Sequence, residues 1–214
     1  KTAFITKDCP RFHDDYLSLF SQFEVGVTGK SWADAFFLSL SYSQIAKELQ
    51  TGAVQTFVYG MAERNSKSFG LSARYNKSDF LLEGLSLNAA VSHTWDHSQT
   101  VDTTYRKYYW DGTYINGGYS EIRGRGKSLR HYKRPMTMVR ANLDYRFNPK
   151  WNGYIKGAYE TAGIYEANSH YTTGRYMTAW NAQGCVEWFP FDEDKGFKVF
   201  AHYVYKGFNL THEA

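Results

Sequence analysis

The sequence has little cysteine, little proline and no long apolar run, and each scarcity excludes something. Its two cysteines, Cys9 and Cys185, lie far apart and match no zinc or redox spacing, so no disulfide framework or zinc module is expected, only plain thiols. Four prolines in 214 residues with 21% charged residues exclude a linker-rich or disordered composition. No apolar stretch approaches the roughly 18 residues that a transmembrane helix needs, which excludes a helical membrane protein. The stretch Lys1–Lys7 lacks the apolar run of a signal peptide; an exported protein would therefore be met here as a mature chain or a fragment.

Aromatic residues are abundant. They make up 18% of a chain whose mean hydropathy is only −0.56. Amphipathic rings on a polar chain suit flat β surfaces, interfaces or membrane-boundary girdles. The dominant period is two. Leu17–Val27, Phe36–Ser43, Ser68–Tyr75, Leu85–Asp96, Val139–Phe147, Trp151–Glu160, Trp180–Trp188 and Phe197–Lys206 each alternate apolar with polar residues, predicting eight strands. Val54–Ala62 is weaker and is placed in a connection.

These strands are long against the five or six residues of an ordinary strand and suit the ~9–11 residues of a tilted membrane-crossing strand. Their polar faces carry full charges, which a sandwich core would not accept. The fold expected is all-β: an antiparallel transmembrane β-barrel, with about eight strands present as a segment of a larger barrel. Connections alternate short (28–34, 76–84, 148–150, 190–196) with long (49–67, 98–134, 166–175). Outer-membrane barrels keep tight turns on the periplasmic side and long loops outside. Under that parity both termini face outside, which is unlike a complete barrel and points to a piece of one.

The polar faces offer lumen-lining candidates: Arg74, Arg140, Asp144, Arg146, Lys156, Glu160, Glu187 and Lys198, with Lys206 beside them. They would pair across a wet interior or set a field favouring anionic solutes. The segment from Ser98 to Arg134 holds eight Lys/Arg, three Asp/Glu and seven rings, so it concentrates a surplus of +5 in a chain whose net charge is +4. Rings stack and guanidinium forks grip carboxylate or phosphate. Tyr105, Tyr109 and Trp110 are the candidate stacking faces, and Arg123, Arg125 and Arg130 the candidate forks. The plainer reading is a solvated loop meeting anionic lipopolysaccharide. Catalytic patterns are missing: Gly126-Lys127-Ser128 ends like a phosphate loop, but Glu121 stands where its first glycine belongs, and no nucleophile elbow occurs. His93 and His97 flank Trp95 on one strand face without a third ligand in the pattern. No enzyme activity, metal or cofactor is expected.

Pro10-Arg11-Phe12-His13-Asp14-Asp15-Tyr16, Lys30-Ser31-Trp32-Ala33-Asp34, Gln50-Thr51-Gly52-Ala53, Phe57-Val58-Tyr59-Gly60 and, most closely, Val101–Gly112 resemble stretches in the barrels of Bacteroidetes-type TonB-dependent outer-membrane receptors. Arg140–Phe147 fits the strand that follows, so the resemblance covers about residues 1–148. From Trp151 onward, Lys150–Ala162, Ala179–Gln183 and Val186–Phe191 resemble Bacteroidetes outer-membrane porins, with a family join near 147–151. Both resemblances imply one barrel unit across 1–214 in the outer membrane of a Gram-negative bacterium, passing a solute through a polar lumen. They imply outer-membrane lipid, a small solute or oligosaccharide, and a plug domain or surface lipoprotein as partners, and no nucleic acid. No stretch of these 214 residues matches a plug domain. The reading held open beside this one is a secreted or surface β-sandwich that binds carbohydrate through the aromatic loop.

Overall fold

The computed structural model describes residues 8–122, 127–167, 172–192 and 195–211. Ten strands follow in order: β1 (Tyr16–Lys30), β2 (Ala33–Glu48), β3 (Glu63–Lys77), β4 (Leu85–Asp102), β5 (Arg106–Tyr108), β6 (Tyr114–Asn116), β7 (Ser128–Asn148), β8 (Trp151–Ala167), β9 (Thr172–Asp192) and β10 (Lys195–Thr211). No helix occurs among the described residues. Eight strands form one antiparallel sheet in the order β1-β2-β3-β4-β7-β8-β9-β10, and β5 and β6 make a separate hairpin. The eight expected strands are thus the eight of the sheet, each longer than its alternating stretch.

Register lines up the apolar residues across all eight strands. Val25, Leu38, Ala73, Val91, Val139, Tyr159, Trp180 and Tyr205 form one continuous row. Two residues along, Val27, Phe36, Tyr75, Ala89, Ala141, Gly157, Ala182 and Tyr203 form the next. Because the side-chain period is two, a slip of one residue would exchange these rows with the polar ones. Rings bound this face at two levels. Tyr42, Phe69 and Trp95 pair across the sheet toward the end with long connections. Trp151, Trp188 and Phe197 stack in series near the other end, with centroids 5.6 and 5.7 Å apart.

Neither face is covered by a second layer among the described residues. The accessible surface is 15415 Å², whereas a compact chain of 24.7 kDa exposes about 10,000 Å². The excess places the apolar side chains outside any core: Phe23, Val25, Leu40, Leu71, Val91 and Ile155 are all exposed. No pairing joins β1 to β10 among the described residues. The sheet is therefore open, and no closed barrel forms among the described residues.

Short turns gather at one end of the sheet, between β1 and β2, β3 and β4, and β7 and β8; the long connections 49–62 and 103–127 gather at the other. Strand ends differ from expectation. β4 continues to Asp102 and β7 begins at Ser128, so the 98–134 connection contracts to 103–127 and itself contains β5 and β6. β9 runs to Asp192, which puts Pro190 in a strand rather than a turn.

The turn from Ser78 to Gly84 depends on a glycine. Gly84 has φ +82; its N–H donates to Asp79 Oδ1 at 2.7 Å and its carbonyl accepts from Arg146 N–H at 3.0 Å. A Cβ there would lie 2.9 Å from the Arg146 carbonyl oxygen, whereas at Gly157, within β8, one would meet nothing within 4 Å. Gly84→Ala is expected to cost about 1–3 kcal/mol and Gly157→Ala to be neutral or slightly stabilising. Urea unfolding midpoints of the two variants check this difference.

Candidate functional site

Most of the buried residues lie off the apolar face of the sheet, in a cap over the long-connection end. The cap is built from the segment Asp8–Asp15, the connection 49–62 and residues 103–122. His13, Gln50, Val58, Tyr59, Ala62, Asp102, Tyr108 and Ser120 are buried there. These connections must bury polar backbone, and each buried group then needs a partner.

Three side chains supply those partners. Gln50, 2% exposed, accepts from the Phe12 and His13 N–H groups at 2.9 and 2.7 Å and donates to the Tyr59 carbonyl at 3.4 Å. The Asp102 carboxylate accepts from the Glu121 and Ile122 N–H groups at 2.9 and 3.1 Å. The Glu121 carboxylate accepts from Gly60 N–H, Met61 N–H and Thr104 Oγ1, so it ties all of this to the 49–62 connection. His13 adds a fourth anchor, with Nε2 2.8 Å from the Ala62 carbonyl and Nδ1 3.2 Å from Glu48 Oε2. Val58 bridges Thr51 and Tyr108 by isolated β pairing. Gly60 lets the Tyr108 ring pack directly on the backbone, in space a Cβ would occupy.

A cavity of about 550 Å³ opens between the two connections. It is lined by Phe57, Tyr59, Arg106, Lys107, Tyr119 and Ser120, with Thr56, Val58, Tyr108, Gly117, Gly118, Glu121 and Ile122 completing it. The Arg106 guanidinium lies 4.2 Å from the Tyr114 ring centroid and donates to Tyr108 Oη at 3.4 Å; that hydrogen bond holds its pKa above the ordinary arginine value. Burial raises the Tyr59 pKa, and the charges of Asp102 and Glu121 raise it further.

Of the stacking faces expected from the sequence, Tyr105 and Tyr109 are exposed and Trp110 is half-buried. Lys127 Nζ sits 5.3 Å from the Tyr105 ring centroid and Lys107 Nζ 6.0 Å from that of Tyr109. None of the three lines the cavity. Arg123, Arg125 and Gly126 lie outside the described residues. Arg130 is not in the loop: it belongs to β7 opposite Thr100, and its guanidinium meets Glu166 at 2.7 Å and Tyr132 Oη at 3.0 Å. The cavity instead uses Arg106, Lys107, Tyr59 and Tyr119. The tripeptide Arg106-Lys107-Tyr108 shows no period-two alternation that would mark it as a strand.

All eight lumen candidates share the polar face of the sheet. Arg74 and Arg140 fall in one row, with Gly26, Phe37, Ala90, Ala158, Asn181 and Val204. Asp144, Arg146, Lys156, Glu160, Glu187 and Lys198 follow at even spacing in register. Arg74 pairs with Glu24 at 2.7 Å, where Ser39 also donates, and Lys198 pairs with Glu187 at 2.5 Å. Arg140, Asp144, Arg146, Lys156 and Glu160 form no ion pair among the described residues, so mutual pairing accounts for only part of this face. His93 is on the opposite face, 2.7 Å from Thr137 Oγ1 and against Trp95. No group of three metal-ligating side chains occurs among the described residues.

Replacing Gln50 with Leu leaves two buried N–H groups without an acceptor. At about 1–3 kcal/mol for each, the Asp8–Asp15 segment should release from the cap. Hydrogen exchange at Phe12 and His13 should then accelerate while amides in β3 and β4 stay protected.

A tyrosine with a raised pKa stabilises the fold fully below the ordinary value of about 10 and loses that contribution as pH rises through its own higher pKa. Ionised Tyr59 would face Asp102 and Glu121. Cleavage of the cap by an alkali-tolerant protease should increase above that pH, and Tyr59→Phe should remove the step.

Comparisons with known proteins return no match: no family model, no curated relative and no solved structure.

Proposed function

We propose that the chain is an outer-membrane β-barrel segment of a nutrient-uptake receptor or porin from a Gram-negative bacterium. It would pass solute along its polar face without making or breaking bonds. One observation carries this reading: a single sheet layer with a continuous apolar face bounded by two levels of rings and an opposite face of Arg, Lys, Asp and Glu. In water such an apolar face would be expected to associate or aggregate. Against lipid it is the ordinary exterior of a barrel.

Dimensions agree with lipid. On β9 the rings Tyr176 and Trp188 lie about 12 residues apart, roughly 40 Å of strand. A tilt near 45° reduces that to roughly 28 Å, close to the ~30 Å hydrocarbon core. The open edges of β1 and β10 call for further strands, since unpaired backbone groups are not tolerated in lipid. Those strands complete the barrel. The β-sandwich alternative would need a second sheet facing the first, and the described residues form one layer.

The face assignment gives a paired test. Arginine at Ala141, on the apolar face, should cost about 2–4 kcal/mol of folding free energy in a bilayer. Arginine at the neighbouring Asn142, on the polar face beside Lys156, should cost well under half as much. Brominated acyl chains should quench Trp180, at mid-height of the apolar face, in chain reconstituted into vesicles. Equal penalties at 141 and 142, or unquenched Trp180, would overturn the membrane reading.

A further inference from the structure

The cap cavity has the makings of a binding site that the transport reading does not require. Two cations, Arg106 and Lys107, line it, and neither forms an ion pair among the described residues. The one carboxylate in the wall, Glu121, is occupied by two backbone N–H groups and the Thr104 hydroxyl. No ion pair joins Glu121 to either cation among the described residues, although its charge acts on Arg106 from beyond contact distance. Ser120 also lines the cavity; it is 5% exposed, and its hydroxyl has no hydrogen-bond partner among the described residues. A buried hydroxyl without a partner is unfavourable, and a ligand oxygen would supply one.

The rest of the wall selects the body of the ligand. Phe57, Val58, Tyr59, Tyr108, Tyr119 and Ile122 present rings and aliphatic groups, beside the hydroxyls of Thr56 and the three tyrosines. A flat apolar body with one anionic group satisfies what is there: rings on its faces, Arg106 and Lys107 on its charge, and Ser120 on an anion oxygen. At about 550 Å³ the cavity falls within the usual 300–1,000 Å³ of small-molecule sites.

We propose that the cavity between residues 56–59 and residues 106–122 binds a small aromatic carboxylate. The site is formed by the cap alone and stands whether or not the apolar face of the sheet meets lipid.

The test uses the full chain with 2-naphthoate as fluorescent probe, 2-naphthylmethanol as its neutral counterpart and inorganic phosphate as the bare anion. Saturable binding of 2-naphthoate is expected, weakened about tenfold by Lys107→Gln and further by Arg106→Gln with Lys107→Gln, as loss of charge-assisted hydrogen bonds implies. Ser120→Ala should weaken it less, and 2-naphthylmethanol and phosphate should each bind at least tenfold more weakly. Lys107 is exposed, so Lys107→Gln keeps the test independent of folding, and near-ultraviolet circular dichroism verifies the cap in each variant. Binding of 2-naphthoate that does not saturate, or that is unchanged in the double variant with an intact cap, overturns the proposal. Phosphate binding as tightly as 2-naphthoate overturns the aromatic part of it. The Trp180 quenching result is unaffected by any of these outcomes.

Discussion

The backbone ladder that runs from β1 to β10 carries the rest of this structure. In a two-layer protein, strands are held by facing side chains as well as by hydrogen bonds. Here the sheet has one layer, and register alone decides where each side chain goes. That register places Val25, Leu38, Val91 and Val139 in one row and the charges of Arg74 and Arg140 in the adjacent row on the other side. Glycines on the apolar side, among them Gly153 and Gly184, leave a wide shallow groove of about 680 Å³ flanked by Leu143, Ile155, Val186 and Val199. It is a recess in an apolar wall with almost no polar groups, and it has none of the chemistry of the cap.

The two ends of the sheet solve different problems. At the tight-turn end, few residues leave the ladder, and Gly84 and Asp79 close the β3–β4 turn against β7. At the cap end, long connections carry many backbone groups away from any strand partner. Buried acceptors collect them: Gln50 for the N-terminal segment, Asp102 for the start of the 120s, Glu121 for the 60s. Each acceptor joins two segments distant in sequence, so the cap behaves as one unit although its chain arrives in three pieces.

The alternation in stretches such as Leu85–Asp96 and Val139–Phe147 makes the eight strands and their faces legible in the sequence, because period two is a local property. Strand ends are less legible for a physical reason. Beyond Trp95 and before Met136 polar residues dominate both faces of β4 and β7, with the Val101–Leu129 pair an exception, so the alternation fades although the pairing continues to Asp102 and Ser128. Arg130 therefore has the sequence surroundings of a loop residue, yet it is a strand residue engaged with Glu166. The cavity is not legible either. Tyr59, Arg106 and Tyr119 come together only through the Glu121 and Val58 contacts, and no spacing in the sequence encodes that meeting.

Each strand of the main sheet lies beside its predecessor in the chain, the β5–β6 hairpin being a detour between β4 and β7. A meander of this kind closes mostly short loops as it assembles, and the entropic cost of each pairing grows slowly with loop length. Strands can then be added one hairpin at a time, with the 49–62 and 103–127 connections as the long closures. The pairing order permits assembly in chain order, and among the described residues the edges left with unpaired backbone groups are those of β1 and β10.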